Sequence, residues 1–178
     1  MKLLLHTCCA PCAISCVKSI KSEGIEPVLF WYNPNIHPYI EYKARFDSLS
    51  KFANNENLKL ITQNEYGLKS FLNDFHPNTK NRCENCYRMR LEKTVSIAAR
   101  EGFSTFSTTL LISPYQDHKI IKQIGEETGA KYDLQFFYTD FRPLFREGQS
   151  SARTSGFYMQ KYCGCIFSEE ERYIGEHK

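Results

Sequence analysis

The strongest constraint in this 178-residue chain is an alternation, in its first third, between short apolar runs and longer stretches with helical spacing. Lys2 to His6 reads as a short buried strand. Pro11 suits the first turn of a helix, and Cys12 to Glu23 continues with helical apolar spacing up to a Gly24 stop. Pro27 to Tyr32 is a second strand closed by the turn formers Asn33-Pro34-Asn35, Tyr39 to Asn54 is helical, and Leu58 to Ile61 is a third strand. Strand, helix, strand, helix, strand in that order predicts a parallel sheet with helices on its faces. Further on, the pattern predicts a short helix over Tyr66–Phe75, a polar loop over His76–Asn81, and a long helix from about Glu84 to Glu101. A strand over Phe103–Thr108, a helix over Tyr115–Thr128, a strand over Asp133–Phe137 and a final helix over Ser151–Tyr162 complete the reading. No repeat or linker interrupts it, so the expectation is one α/β domain spanning residues 1–178 with a parallel, Rossmann-like sheet.

Composition adds limits rather than identity. The chain is 42% hydrophobic and 24% charged with a net charge of +3, so it is not a polycation, and an RNA partner would need a local basic face. The apolar run after Met1 stops at His6, too short for a signal peptide, and no window is long enough to span a bilayer. A cytoplasmic protein without membrane attachment is expected, in a compartment that keeps thiols reduced.

That expectation gives the eight cysteines their meaning. In a reducing compartment, clustered cysteines point to metal or redox chemistry rather than to a disulfide framework. Cys9 and Cys12 form one C-x-x-C, Cys83 and Cys86 a second, Cys163-x-Cys165 is tighter, and Cys8 adjoins Cys9. A turn between the members of such a pair brings both sulfurs to one side, toward one metal centre. Four thiolates can hold a tetrahedral zinc or a 4Fe–4S cubane. Seven clustered cysteines exceed either need, which argues for a larger or catalytic site. Cys16, one helical turn past Cys12 within an apolar stripe, reads as packing.

Cys8, Cys9 and Cys12 follow the first strand directly, where open parallel sheets bind their ligands, and a helix starting near Pro11 points its positive end there. Asp117, His118 and Asp140 are candidate acids or ligands, though Asp117 and His118 read equally as helix-surface residues and Asp140 with Arg142 more readily as a salt bridge. Tyr32, Tyr39, Tyr87 and Tyr158 are candidates for stacking on a base. Arg82, Arg88, Arg90 and Lys93 surround the second C-x-x-C as a positive collar suited to phosphate, or as a solvated helix face. Neither G-x-x-x-x-G-K-[ST] nor G-x-G-x-x-G occurs, so electrons would come from an external donor.

The ordered motifs His6-Thr7-Cys8-Cys9-Ala10-Pro11-Cys12, Asn33-Pro34-Asn35-Ile36-His37-Pro38, Arg82-Cys83-Glu84-Asn85-Cys86-Tyr87-Arg88-Met89-Arg90-Leu91, Thr108 to His118, Asp140-Phe141-Arg142 and Tyr158 to Cys165 resemble the QueH-type epoxyqueuosine reductases over nearly the whole chain. The resemblance implies a fold like the adenine-nucleotide α-hydrolases (the HUP class). It implies a 4Fe–4S cluster with an adjacent mononuclear iron. It implies cobalamin-independent, two-electron removal of the epoxide oxygen of epoxyqueuosine in tRNA, the last step of queuosine synthesis. Loss of water would then need a proton donor, for which Asp140, Asp117 and His118 are the candidates.

Within that reading, Cys9, Cys12, Cys83 and Cys86 are expected to hold the cubane, because the two pairs have matched spacing. Cys8, Cys163 and Cys165, with a carboxylate such as Asp140, are expected to serve the second metal. The modified base lies in a tRNA anticodon loop, and the collar would grip its flanking phosphates. The competing readings are a zinc module that binds RNA and a thiol–disulfide oxidoreductase working through Cys163-x-Cys165.

Overall fold

The computed structural model describes residues 1–75 and 81–175. Its sheet has five parallel strands, β1 (Lys2–His6), β2 (Glu26–Trp31), β3 (Leu60–Thr62), β4 (Thr105–Thr108) and β5 (Gln135–Phe136), in the order β3-β2-β1-β4-β5. Central β1 is flanked on both sides by strands and on both faces by helices. Leu3, Leu4 and Leu5 are fully buried, which is why the strand reads as an unbroken apolar run instead of an alternating one. The parallel, Rossmann-like sheet expected from the alternation is the one observed.

Seven α-helices are described: α1 (Ala10–Ser22), α2 (Tyr39–Asn55), α3 (Leu68–Asp74), α4 (Arg82–Arg100), α5 (His118–Ala130), α6 (Phe145–Thr154) and α7 (Ile166–Ile174). The strand order reverses direction between β1 and β4, and the crevice beyond their carboxyl ends is where such sheets bind ligands. The segment entering α1 leaves β1 at this point, and a 3-10 turn over Thr109–Ile112 leaves β4 there. His6 at the end of β1 ties the two strands: its Nδ1 accepts from Thr108 Oγ1 at 2.9 Å while Nε2 donates to the Tyr32 carbonyl. Burial holds this ring neutral, with its pKa down at about 4.

Helix α6 lies close against α1. A Cβ on Gly148 would stand 3.0 Å from both the Pro11 carbonyl and Ser15 Oγ, so glycine permits the approach.

Three sequence expectations need correction. The final helix is α6 over Phe145–Thr154, not Ser151–Tyr162: a 3-10 turn carrying Pro143 launches it early, and Gly156 at φ +66° follows its end. Residues beyond it run without helix to Cys165, and α7, which the pattern did not suggest, begins there. The long helix starts at Arg82 rather than Glu84, which places Cys83 inside it. The polar loop expected over 76–81 lies, apart from Asn81, outside the described residues. No helix among the described residues is long and apolar enough to cross a membrane.

Candidate metal centre

Each of the three cysteine groups sits at the start of a helix. Cys9 is the N-cap of α1 with Cys12 in its first turn; Cys83 and Cys86 lie in the first two turns of α4; Cys165 is the N-cap of α7. Cys83 and Cys86 are three residues apart on a helix and share a face. Helix starts carry unpaired N–H groups and the positive end of the macrodipole, both of which favour thiolate over thiol. The Cys165 sulfur accepts from the Ser168 N–H at 3.4 Å in this way.

Cys8, Cys9 and Cys12 are buried, and their sulfurs all lie within 4.8 Å of one another, with Cys8 and Cys9 Sγ atoms 3.8 Å apart. Cys8 Sγ also reaches Thr109 Oγ1 at 3.8 Å, so the trio lies where the chain leaves both β1 and β4. Hydrogen bonds from Cys12 and Cys9 hold Cys8 well below the usual thiol range, whereas burial is the leading cause that raises Cys9. Three hydrogen-bonded cysteines this close form a set whose protons a metal would displace on binding.

Four of the other five cysteines, Cys83, Cys86, Cys163 and Cys165, line one pocket together with Asn35, Arg82, Tyr87 and Gln116. Burial pushes the Cys86 thiol up to about 12. The Gln116 amide donates to Cys163 Sγ at 3.4 Å while its oxygen accepts from the Tyr87 hydroxyl at 2.8 Å. On the other side, the Gln160 amide donates to Cys12 Sγ at 3.6 Å. Carboxamide donors to sulfur of this kind tune a metal–thiolate centre.

The Cys163–Cys165 segment is clamped from α2 and its approach. Arg45 donates to the carbonyls of Cys163 (2.8 Å) and Tyr162 (2.9 Å), and pairs with Glu41 at 2.7 Å, with both side chains buried. The Tyr158 hydroxyl donates to the other Glu41 oxygen. His37 receives the Tyr162 hydroxyl on its carbonyl and gives its own N–H to the Gly164 carbonyl at 2.8 Å. The i,i+4 spacing of Glu41 and Arg45 and the motif around His37 are visible in the sequence, but their joint hold on Tyr158, Tyr162, Cys163 and Gly164, more than 100 residues away, leaves no local signal.

The collar does not survive intact. Arg90 is 2% exposed, so it belongs to the interior and cannot grip phosphate. Helical side chains point back toward the N-terminus, and Arg90 folds along α4 to donate from Nε to the Cys86 carbonyl at 3.1 Å. Arg82 is paired with Glu171 and lies over the Phe167 ring, Arg88 pairs with Glu84 and Glu127, and Lys93 sits over the Tyr32 ring. Of the candidate stacking residues, Tyr32 and Tyr87 are buried, while Tyr39 and Tyr158 are exposed.

The candidate acids separate as well. Asp117 is the cap of α5, its carboxylate accepting from the Ile120 N–H at 3.1 Å. Asp140 is held at about pKa 2 by hydrogen bonds from Arg142, so near neutral pH it is a carboxylate with no proton to give. Neither it nor Asp117 joins the group formed by the cysteine trio. His118 is different: Nε2 donates to the Ser113 carbonyl at 3.2 Å, and Nδ1 is buried without a hydrogen-bond partner, 3.9 Å from Asp140.

Known proteins resemble this chain over most of its length. The family model described as "Epoxyqueuosine reductase QueH" matches residues 3–171. Proteins of that name from Dehalococcoides mccartyi and Thermotoga maritima are each 35% identical to this chain, over 97% and 96% of it and 94% and 91% of their own lengths. The one from Haemophilus influenzae is also 35% identical, over 94% of this chain and 71% of its own. Among solved structures, the U34-tRNA thiolase NcsA from Methanococcus maripaludis with its [4Fe-4S] cluster superimposes with a TM-score of 0.57 at 12% identity. That match covers 98% of this chain and 65% of the thiolase, and shows the fold alone. With seven cysteines gathered at the carboxyl rim of its sheet, the chain belongs to the epoxyqueuosine reductase QueH family.

Proposed function

We propose that this chain reduces epoxyqueuosine in tRNA to queuosine, two electrons from an external donor and two protons releasing the epoxide oxygen as water. The observation that carries the reading is the start of three helices on cysteines around one sheet crevice, with carboxamide donors on two of the sulfurs. The residues suit a metal centre: the donors are soft thiolates, the trio has ligand spacing, and buried guanidinium groups stand ready to balance its negative charge.

Cys9, Cys12, Cys83 and Cys86 are proposed to hold a 4Fe–4S cluster, and Cys8, Cys163 and Cys165 an adjacent iron. The contact between Cys8 and Cys9 would make two such centres neighbours. When bound, these groups supply single-electron transfer and a Lewis acid for the epoxide oxygen. The protein's own part is to fix the thiolates, exclude water and deliver a proton. For the last role His118 is preferred, its unpartnered Nδ1 taking up a proton and passing it on while the Nε2–H stays on the Ser113 carbonyl, over Asp117, which is used as a cap, and over Asp140, which is ionised. The reaction is proposed to take place in the cytoplasm.

The test is anaerobic purification, iron and sulfide analysis, and incubation with epoxyqueuosine-containing tRNA and a low-potential reductant. Brown protein with both elements, and nucleoside that has lost one oxygen by mass spectrometry, are expected. Colourless protein with stoichiometric zinc and no turnover would support the RNA-binding zinc module instead. Rapid dithiol exchange by metal-free protein through Cys163 and Cys165 would support the oxidoreductase.

With Arg90 interior, the RNA grip is reassigned to Arg88 and Lys93. The Arg88→Ala, Lys93→Ala double variant is expected to bind tRNA more weakly with unchanged metal content. Its log–log salt slope should become shallower by about 0.7 for each phosphate that is no longer neutralised. An unchanged slope would place the RNA on another face.

A further inference from the structure

The interior around the cysteines contains two guanidinium groups, and they are not equivalent. Arg45 has its carboxylate, Glu41, and spends its remaining donors on two backbone carbonyls. Arg90, equally buried, makes no ion pair among the described residues, and the one hydrogen bond of its side chain there goes to the carbonyl of Cys86. A buried cation without an anion costs several kcal/mol and does not persist unless something offsets it. Surface phosphate cannot, since the side chain is 2% exposed.

What faces Arg90 is sulfur. It lines the same pocket as Cys83, Cys86, Cys163 and Cys165, members of two of the three cysteine groups, and its Nε holds the Cys86 carbonyl. The Tyr87 ring below it, 5.9 Å away, adds a weak cation–π contact that leaves the charge uncompensated. Metal-bound thiolates are the anions this position lacks.

We infer that Arg90 is the fixed counter-cation of the metal–thiolate centre, a positioning residue whose charge, not its hydrogen-bonding shape, holds the centre in its anionic form and eases its reduction. The inference rests on the metal reading above. A cation stabilises added negative charge, so removing it makes reduction harder and lowers the potential. It also weakens the thiolate set toward any divalent metal, since outer-shell partners of this kind carry about 10- to 100-fold in affinity.

The experiment compares the unaltered chain with Arg90→Gln, which keeps donors without charge, and Arg90→Lys, which keeps charge without the fork. Metal-free proteins are titrated anaerobically with Co(II), followed by its thiolate charge-transfer band, and reconstituted proteins are titrated for reduction potential. Co(II) affinity is expected to fall about tenfold or more in the Gln variant, with a more negative potential, and to stay near the original in the Lys variant. Equal affinity and potential in the Gln variant and the unaltered chain would overturn the inference. So would a folded Lys variant as weak as the Gln variant, a comparison that remains decisive if the Gln protein is obtained only with metal present. If the unaltered chain takes up no iron and sulfide, the metal reading itself fails, and the Co(II) series still judges the role of the charge.

Discussion

Cys9→Ala is expected to strip the protein of its metal, while Cys16→Ala, seven residues along the same helix, keeps the full complement. Cys9 is the N-cap of α1, its sulfur is 3.8 Å from that of Cys8, and it is one of three whose ligand atoms crowd within 4.8 Å. Removing it leaves two of that trio, and a centre that has lost one of its thiolates must recruit water or another side chain in its place. Cys16 is also fully buried but stands outside that group, and burial in an apolar stripe keeps its thiol protonated. Shortening it to Ala removes a small apolar contact worth on the order of 1 kcal/mol. Iron and sulfide analysis with thermal melting reads both effects. Full metal in the Cys9 variant, or loss of metal in the Cys16 variant, would show that the ligands are drawn from a different subset of the eight cysteines.

How far the sequence alone leads depends on whether the signal is local. β1, α1, β2 and α2 announce themselves because each apolar face is set by its own residues, and Cys8, Cys9 and Cys12 follow β1 directly in sequence. The segment from Phe157 to Cys165 shows the opposite case. Its composition is compatible with helix, yet it runs non-helically because Ser48, Arg45 and His37 supply its backbone partners from the far end of the chain. Tertiary contacts override propensity there, and no window of the sequence contains them.

The site divides in the same way. Cysteines cluster in sequence and were legible, and so was the rim they occupy. The charge balance was not. Arg90 and Arg88 look alike on paper, two residues apart in one basic stretch, but 200° of helical rotation puts one beside sulfur and the other among Glu84 and Glu127. Asp117 and Asp140 look like acids until their partners, a helix start and Arg142, are seen.

The buried pair of Glu41 and Arg45 carries the second large effect. Removing one member of a buried ion pair strands the other and costs about 3–5 kcal/mol, far more than the 0–1 kcal/mol typical of an exposed pair. Arg45→Met fits the volume but strands Glu41 with only the Tyr158 hydroxyl, and it frees the carbonyls of Tyr162 and Cys163. Global stability in denaturant titration is therefore expected to fall by about 3–5 kcal/mol. The loss is expected to be felt most at the clamp, with amide exchange at Gly164 and neighbouring positions speeding up more than exchange in the core of β1. Glu41→Gln keeps an oxygen that can accept from Arg45 but leaves the buried guanidinium without its anion, so a loss of the same order is expected. A fall below about 1 kcal/mol for Arg45→Met would mean that the pair behaves as if solvent-screened. The Cys163–Cys165 segment would then be held by His37 and the packing of Phe167, not by α2.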